Sequence, residues 1–349
     1  MPAAPTNLRE TVLFFARLRA GQTAADVLAQ IDWTGVSRRQ IVHALLDRPP
    51  ANADEARSDP GFDATAAATA LFHSADFRMD LAARLMRHFP ARKRIFFVHI
   101  PKSAGSDFMA AIHRKMPTVS LAFSDPEVLP PPRLAKRLAD FARAVGGSDS
   151  IFMGGHTNLS WYLDSGLYRF GDRLLSVLRH PYEISVSLAN YIVGRFQNCP
   201  DLTDQDTRIW AETLRMSAAD IAALDPKALA LALVVRPGIQ AVNPICSFLG
   251  SGTAQSALAN IERAPVEISC LSSYTPWLKE TWGIDRDRRG NASTPYICWD
   301  DLSSVQQSQV KSACEEDIVF YDAAMKAFSR EGRLSVMGEE IVAAFESRS

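Results

Sequence analysis

Residues 95–106 read IFFVHIPKSAGS, and the fold class can be inferred from this segment. Its first half is a short apolar run with β-branched and aromatic side chains, which is typical of a strand covered on both faces in a parallel sheet. Its second half is a turn of small residues, and the apolar spacing of a helix follows directly. A buried strand, a tight loop and a helix start predict an α/β protein with this loop at the end of the strand.

The same pattern is repeated along the rest of the chain. Apolar runs at residues 151–153, 174–178 and 266–268 predict further strands, and helical patterns lie between and after them. We therefore expect an α/β domain over residues 93–349, with a P-loop-like parallel sheet flanked by helices.

The first part of the chain has a different character. Residues 1–92 read as a helical N-terminal region, since apolar side chains recur there at helical spacing. Thr23-x-x-Asp26 and Ser37-x-x-Gln40 each resemble a capping box before such a run. This region is predicted to be separate from the α/β domain.

Composition excludes several classes of protein. The formal charge is -1 over 349 residues, which lacks the basic balance of a nucleic-acid-binding protein, so no nucleic acid is expected as a partner. The five cysteines include no C-x-x-C pair, which favours reduced thiols over a disulfide framework or a zinc site. We expect no metal.

No targeting or membrane segment is evident in the sequence. The first ten residues lack a basic stretch followed by an apolar core, so a secretory signal is not predicted. No run approaches the roughly 18 apolar residues of a membrane-spanning helix. The expected location is the cytoplasm.

The loop of residues 101–106 has the chemistry of an anion site. Successive backbone N–H groups and a helix N-terminus favour a negatively charged ligand. Lys102 adds a point charge, while Ser103 and Ser106 add hydroxyl donors. The lysine precedes Gly105 instead of following a glycine, so this is not the Walker A pattern.

A second candidate anchor follows the strand at 174–178. Arg179 ends that strand, and Ser187 comes eight residues later in a helical run that begins near Pro181. An arginine and a hydroxyl that converge at a strand end can bind a terminal phosphate, the arginine through two parallel hydrogen bonds.

A histidine lies between these two anchors in the sequence. His156 follows a predicted strand and two glycines, where α/β proteins place their ligand crevice. Imidazole titrates near neutral pH and can remove the proton of a hydroxyl nucleophile. His156 is therefore the candidate general base, ahead of His99 and His180.

Residues 100–106, IPKSAGS, resemble the 5′-phosphosulfate loop of carbohydrate sulfotransferases, the group that contains heparan sulfate 2-O-sulfotransferase and its bacterial relatives. In that family the lysine contacts bridging and phosphate oxygens of the donor 3′-phosphoadenosine 5′-phosphosulfate (PAPS), and the loop amides hold the 5′ phosphate. The resemblance implies that Lys102 is catalytic and donor-binding. It also implies that Ser103, Ala104, Gly105 and Ser106 bind PAPS.

Other motifs extend the resemblance over roughly residues 94–325. Arg179, Pro181 and Ser187 match the family's 3′-phosphate motif R-[DN]-P-x-x-R-x-x-S, although His180 and Ile184 replace the usual acid and second arginine. A G-H pair whose histidine is the general base matches His156. The late N-x-S segment that closes over the nucleotide is similar to residues 291–293, so Asn291 and Ser293 are expected to bind the donor. Residues 315–321 resemble the family's closing D-x-x-[LF]-Y helix.

The resemblance implies an enzyme that passes a sulfuryl group from PAPS to a hydroxyl acceptor, with a carbohydrate as the expected partner. Two alternatives stay open at this point. One is a phosphotransferase that uses ATP, and the other is a non-catalytic relative that binds nucleotides or glycans.

Overall fold

The structure is a computed structural model of the chain. The residues that it describes are 1–15, 22, 24–56, 62–72, 74, 77, 93–115, 118–120, 150–164, 168–169, 171–285, 295–329 and 333–347. The chain divides into two compact units. The first comprises Met1–Phe97, Ile112–Thr157 and Trp161–Asp172, and the second comprises Val98–Ala111, Asn158–Ser160 and Arg173–Ser349.

Helices account for the regular structure of the first 72 residues within the described part. They are α1 (Leu8–Phe15), α2 (Ala24–Ala29), α3 (Arg38–Leu46), α4 (Ala53–Ala56) and α5 (Ala64–Phe72). α3 begins at a capping box between Ser37 and Gln40, as the sequence predicts. Thr23, which opens the other predicted box, lies outside the described residues. Aromatic packing joins α1 to α5, since the rings of Phe15 and Phe72 are 4.7 Å apart.

The strands form one mostly parallel sheet, and helices flank it. They are β1 (Lys93–Val98), β2 (Thr118–Ser120), β3 (Ser150–Gly155), β4 (Arg173–Leu178), β5 (Val266–Cys270) and β6 (Ser335–Met337). Their order is β2-β3-β1-β4-β5-β6. β2 pairs with β3 and β4 with β5 in parallel, whereas β6 is antiparallel to β5. The predicted α/β class with a mostly parallel, helix-flanked sheet is confirmed.

The remaining helices come after β1 in the chain. They are α6 (Gly105–His113), α7 (Leu159–Asp164), α8 (Pro181–Asn198), α9 (Gln205–Leu214), α10 (Ala218–Ala223), α11 (Pro226–Leu233), α12 (Pro244–Leu249), α13 (Ala254–Arg263), α14 (Tyr274–Trp282), α15 (Ser304–Ala313), α16 (Glu315–Ser329) and α17 (Gly338–Glu346). None of the helices in the described part of the chain has both the length and the hydrophobicity to cross a membrane.

Packing in the second unit fixes α8, the helix that carries Ser187. Ile192, Val193 and Phe196 of α8 are buried in an apolar cluster with residues of α9, α10 and α11. Only two residues, Arg179 and His180, connect β4 to α8, and Pro181 occupies the first turn of the helix. The first half of α8 is therefore held beside the end of β4.

Candidate functional site

The turn between β1 and α6 has an unusual backbone. Lys102 and Ala104 both have left-handed conformations, with φ of 62° and 61°. Such a conformation costs a non-glycine residue roughly 1–2 kcal/mol. Two left-handed residues in one short turn therefore mark this turn as a candidate functional site. Left-handed residues within a turn direct successive N–H groups toward one side, where they form a concave anion site.

The amides of this turn are not equivalent. The Ser103 N–H donates to the Ile100 carbonyl at 3.3 Å, and the Phe108 N–H donates to the Ala104 carbonyl at 3.0 Å. The N–H groups at the start of α6, from Gly105 onward, have no partner within the helix. Of the amides predicted to hold a ligand, those of Ala104, Gly105 and Ser106 are the better candidates.

The two serines of the loop differ in their surroundings. Ser103 is 1 % exposed, and its Oγ has no hydrogen-bond partner in the described part of the chain. A buried hydroxyl without a partner costs about 1–3 kcal/mol, which a phosphate or sulfate oxygen could offset by accepting its proton. Ser106 lies exposed in the first turn of α6. The loop therefore fits an oxyanion ligand at two hydroxyls.

Gly105 is required by a close approach of His99. A Cβ at position 105 would lie 1.8 Å from His99 Cδ2 and 2.2 Å from its Nε2. β1 ends at Val98, so His99 lies just after the strand, at its junction with the loop. The buried ring of His99 thus packs against Gly105, the first residue of α6.

Lys102 sits under an aromatic ring in this site. Its Nζ is 3.9 Å from the centroid of the Tyr191 ring, which belongs to α8. Burial, and to a lesser degree the neighbouring Arg179 guanidinium, lowers the pKa of Lys102 to about 8. The charge of this lysine is therefore sensitive to pH in a range that ordinary lysines do not reach.

Arg179 is joined directly to the loop of residues 101–106, called the anion loop below for the ligand that its sequence predicts. Its Nη1 donates to the carbonyl of Lys102 at 3.1 Å, and its Nε donates to the Glu183 carboxylate at 3.1 Å. The first bond braces the left-handed turn, and the second holds the guanidinium plane. A guanidinium has five N–H donors, so capacity for a ligand phosphate remains. The structure thus brings Lys102 and Arg179 into one cationic site.

One side of α8 faces this site. Glu183, Ser187 and Tyr191 are spaced four residues apart, so they lie on the same side of the helix. Glu183 contacts Arg179 and Tyr191 contacts Lys102, and Ser187 is 9 % exposed between them. The predicted serine therefore lies on the helix face that meets the two cations.

The two residues that differ from the motif quoted above, His180 and Ile184, both contribute to packing. His180 packs edge-on against the rings of Tyr182 and Tyr321, at centroid distances of 4.8 Å and 5.2 Å. Ile184 is completely buried, so an arginine at this position would place a charge in the core. Both residues serve packing at the start of α8.

His156 immediately follows β3 in the first unit. Its side chain is exposed, and the strand before it is buried. The sequence prediction that this histidine comes just after a buried strand is confirmed, and its role as a base stays a prediction. Asn291 and Ser293 lie outside the described residues. The chain after them is held on α8, because Asn190 Oδ1 accepts the N–H groups of Tyr296 and Ile297 at 3.0 Å each.

The late helical motif has a structural task. Asp317 of α16 is fully buried, and its carboxylate accepts the N–H groups of Ile245 and Cys246 at 2.9 Å and 2.8 Å. These donors are the first N–H groups of α12, so the aspartate caps that helix. Burial raises the pKa of Asp317 to about 6, against the opposing effect of the two backbone hydrogen bonds.

Sequence reasoning does not single out Tyr191 and considers His99 only as a weaker candidate base, whereas the structure places both residues at the site. Tyr191 stands out in the sequence only by its position four residues after Ser187, which puts both on one helix face. His99 could be recognised only as a polar residue at the end of an apolar run. In both cases the role depends on a contact, with Lys102 for Tyr191 and with Gly105 for His99, that only the folded structure reveals.

A scan against protein-family models and a search of curated proteins both find no match to this chain. The fold and the site together define an α/β protein with a cationic loop at the end of a sheet strand.

Proposed function

We propose that this protein is a PAPS-dependent sulfotransferase that sulfates a hydroxyl group, with a carbohydrate as its acceptor. The observation that carries the proposal is the turn of residues 101–105, where two left-handed residues, Lys102 and Ala104, lie beside the guanidinium of Arg179. A backbone cradle with two cations suits a ligand that carries several oxyanion groups. The IPKSAGS and R-x-P-x5-S motifs make PAPS the ligand of choice.

In this proposal the loop is P-loop-like in its use of backbone amides at a strand–helix junction. Lys102 stabilises charge on the 5′ phosphate, and the amides of residues 104–106 together with the Ser103 hydroxyl hold that group. Arg179 and Ser187 bind the 3′ phosphate. Catalysis then depends on positioning and electrostatic stabilisation by the chain's own residues.

The proposed reaction is an in-line sulfuryl transfer. His156 takes the proton of the acceptor hydroxyl, and the acceptor oxygen forms a bond to sulfur as the bond between sulfur and the 5′-phosphate oxygen breaks. The leaving phosphate keeps the electron pair, and Lys102 offsets its charge. The products are the sulfate ester, 3′-phosphoadenosine 5′-phosphate (PAP) and the proton on His156.

The decisive experiment is calorimetric titration of the protein with PAP, beside ADP and beside ATP with magnesium. We expect micromolar or tighter binding of PAP and much weaker binding of ADP, because only PAP carries the 3′ phosphate. A preference for ATP would favour the phosphotransferase alternative instead. Absence of PAP binding would overturn the proposal.

Substitution of Arg179 tests the 3′-phosphate assignment. We expect Arg179→Ala to weaken binding of PAP by about 10- to 150-fold, while AMP loses much less, since a charge-assisted hydrogen bond contributes about 1.5–3 kcal/mol. Because Arg179 also donates to the Lys102 carbonyl, AMP serves as the internal measure of damage to the loop. Equal losses for the two nucleotides would assign Arg179 to bracing alone.

The lowered pKa of Lys102 predicts a pH dependence of PAP binding. The lysine is charged below pH 8 and loses its charge above it, whereas a bound phosphate would raise its pKa again. Affinity for PAP should therefore be highest below pH 8 and fall by up to about tenfold between pH 8 and pH 9. Titration at pH 7, 8 and 9 measures this, together with proton uptake in buffers of different ionisation enthalpy.

Lys102→Arg is the matched control for this pH series, because a guanidinium stays charged throughout the range. Its affinity for PAP should change little between pH 7 and pH 9. A slope equal to that of the wild-type protein would show that another group titrates.

A further inference from the structure

The contact between Lys102 and Tyr191 is the most specific feature of the site that the proposed reaction does not use. The Lys102 ammonium lies 3.9 Å from the ring centroid, well within the roughly 6 Å over which an aromatic face attracts a cation. Both residues are partly buried, so water screens the attraction less than it would at a fully exposed site. Among the described residues, no carboxylate forms an ion pair with Lys102.

The charged groups around Lys102 explain why the ring matters. Arg179, at the end of β4, repels the ammonium, and its own charge is partly offset by Glu183 from α8. In the first turn of α6, the Asp107 carboxylate accepts a hydrogen bond from the Tyr274 hydroxyl at 3.0 Å. The imidazole of His99 packs on Gly105. None of these groups offers the ammonium the direct attraction that the Tyr191 ring provides.

We propose that Tyr191 is a positioning residue for Lys102, and that its aromatic face keeps the ammonium charged and directed to the anion loop until the sulfate donor engages it. This inference rests on the proposed function for the identity of the ligand. The contact between Tyr191 and Lys102 is independent of that function and can be tested without any nucleotide.

The first test measures the charge state of Lys102 directly. Competitive labelling with 1-fluoro-2,4-dinitrobenzene over pH 6–10, followed by peptide mass spectrometry, yields the pH midpoint at which Lys102 becomes reactive. Lys227 and Lys279, which are remote in sequence from the loop, provide internal references. The wild-type midpoint should lie near pH 8.

Two kinds of variant separate the ring from its hydroxyl. Tyr191→Phe keeps the aromatic face, so its midpoint should stay close to that of the wild type. Tyr191→Leu removes the face, and the midpoint should fall by roughly half to one and a half pH units. Tyr191→Met, a flexible side chain of substantial volume, serves the same purpose if the leucine variant does not fold. A wild-type midpoint in the non-aromatic variant would overturn the proposal.

The second test separates positioning from a merely structural role. For Tyr191→Leu, PAP affinity at pH 8 should fall about 2- to 15-fold and should recover to within about twofold of the wild-type value at pH 6.5, where Lys102 is charged again. A packing defect would lower affinity equally at both pH values, and that result would contradict the proposal. If the wild-type protein binds no PAP, the proposed function fails, while the labelling experiment still decides the role of Tyr191.

Discussion

His156→Ala is expected to lose two to four orders of magnitude in turnover and to keep its affinity for PAP. A positioned general base contributes about 10²- to 10⁴-fold, because an unassisted hydroxyl is a poor nucleophile at neutral pH. The side chain is exposed, so its removal should leave the free energy of unfolding almost unchanged. The assay follows transfer of ³⁵S from PAPS to the best acceptor in a panel of neutral oligosaccharides, with calorimetry for PAP.

The matched control is His43→Ala, which removes another exposed histidine from helix α3 of the first unit. Its turnover should equal that of the wild type. Unchanged turnover in His156→Ala would remove the base assignment. A parallel loss of PAP affinity would instead assign His156 to donor binding.

Gly105→Ala is expected to destabilise the protein by about 3 kcal/mol or more and to abolish tight PAP binding. The added Cβ would lie 1.8–2.4 Å from three atoms of the His99 ring, a separation that no side chain tolerates without movement. Overpacking in a buried site costs typically about 1–3 kcal/mol, and here the ring and the left-handed turn must both shift. Urea denaturation measures the change in the free energy of unfolding.

Two further variants make this prediction specific. In a His99→Ala background the clash is absent, so the penalty of Gly105→Ala should fall to about 1 kcal/mol or less. Gly194→Ala, within α8, adds a Cβ whose nearest neighbour is 3.9 Å away, and it should be neutral or slightly stabilising. If Gly105→Ala costs the same with and without His99, the ring is not the cause.

The main strands of the sheet could be predicted because their apolar runs are long enough to show a pattern. β1, β3, β4 and β5 all coincide with such runs. β2 and β6 are three residues long, which is too short for periodicity to reveal them. Their existence depends on a neighbouring strand that offers hydrogen bonds, and one sequence does not contain that information.

The residues of the candidate site could be named from the sequence, but their contacts could not. The order of lysine, serine and glycine after a strand indicates an anion loop, whereas left-handed backbone at a lysine and an alanine has no sequence signature. A glycine at those positions would have been a signal. The bond from Arg179 to the Lys102 carbonyl joins residues 77 positions apart, so it emerges only from the fold.

Glu183, Ser187 and Tyr191 lie on one face of α8, so the spacing of these residues along the helix fixes the positions of their side chains at the site. Each residue added to a helix turns everything after it by about 100° and advances it by about 1.5 Å. A single deletion between Ser187 and Tyr191 would therefore rotate the tyrosine away from Lys102 and leave the pair of Arg179 and Glu183 in place. The number of residues between Glu183 and Tyr191 therefore determines whether the ring can contact Lys102. An insertion or deletion in this part of α8 would break the contact even if every site residue were kept.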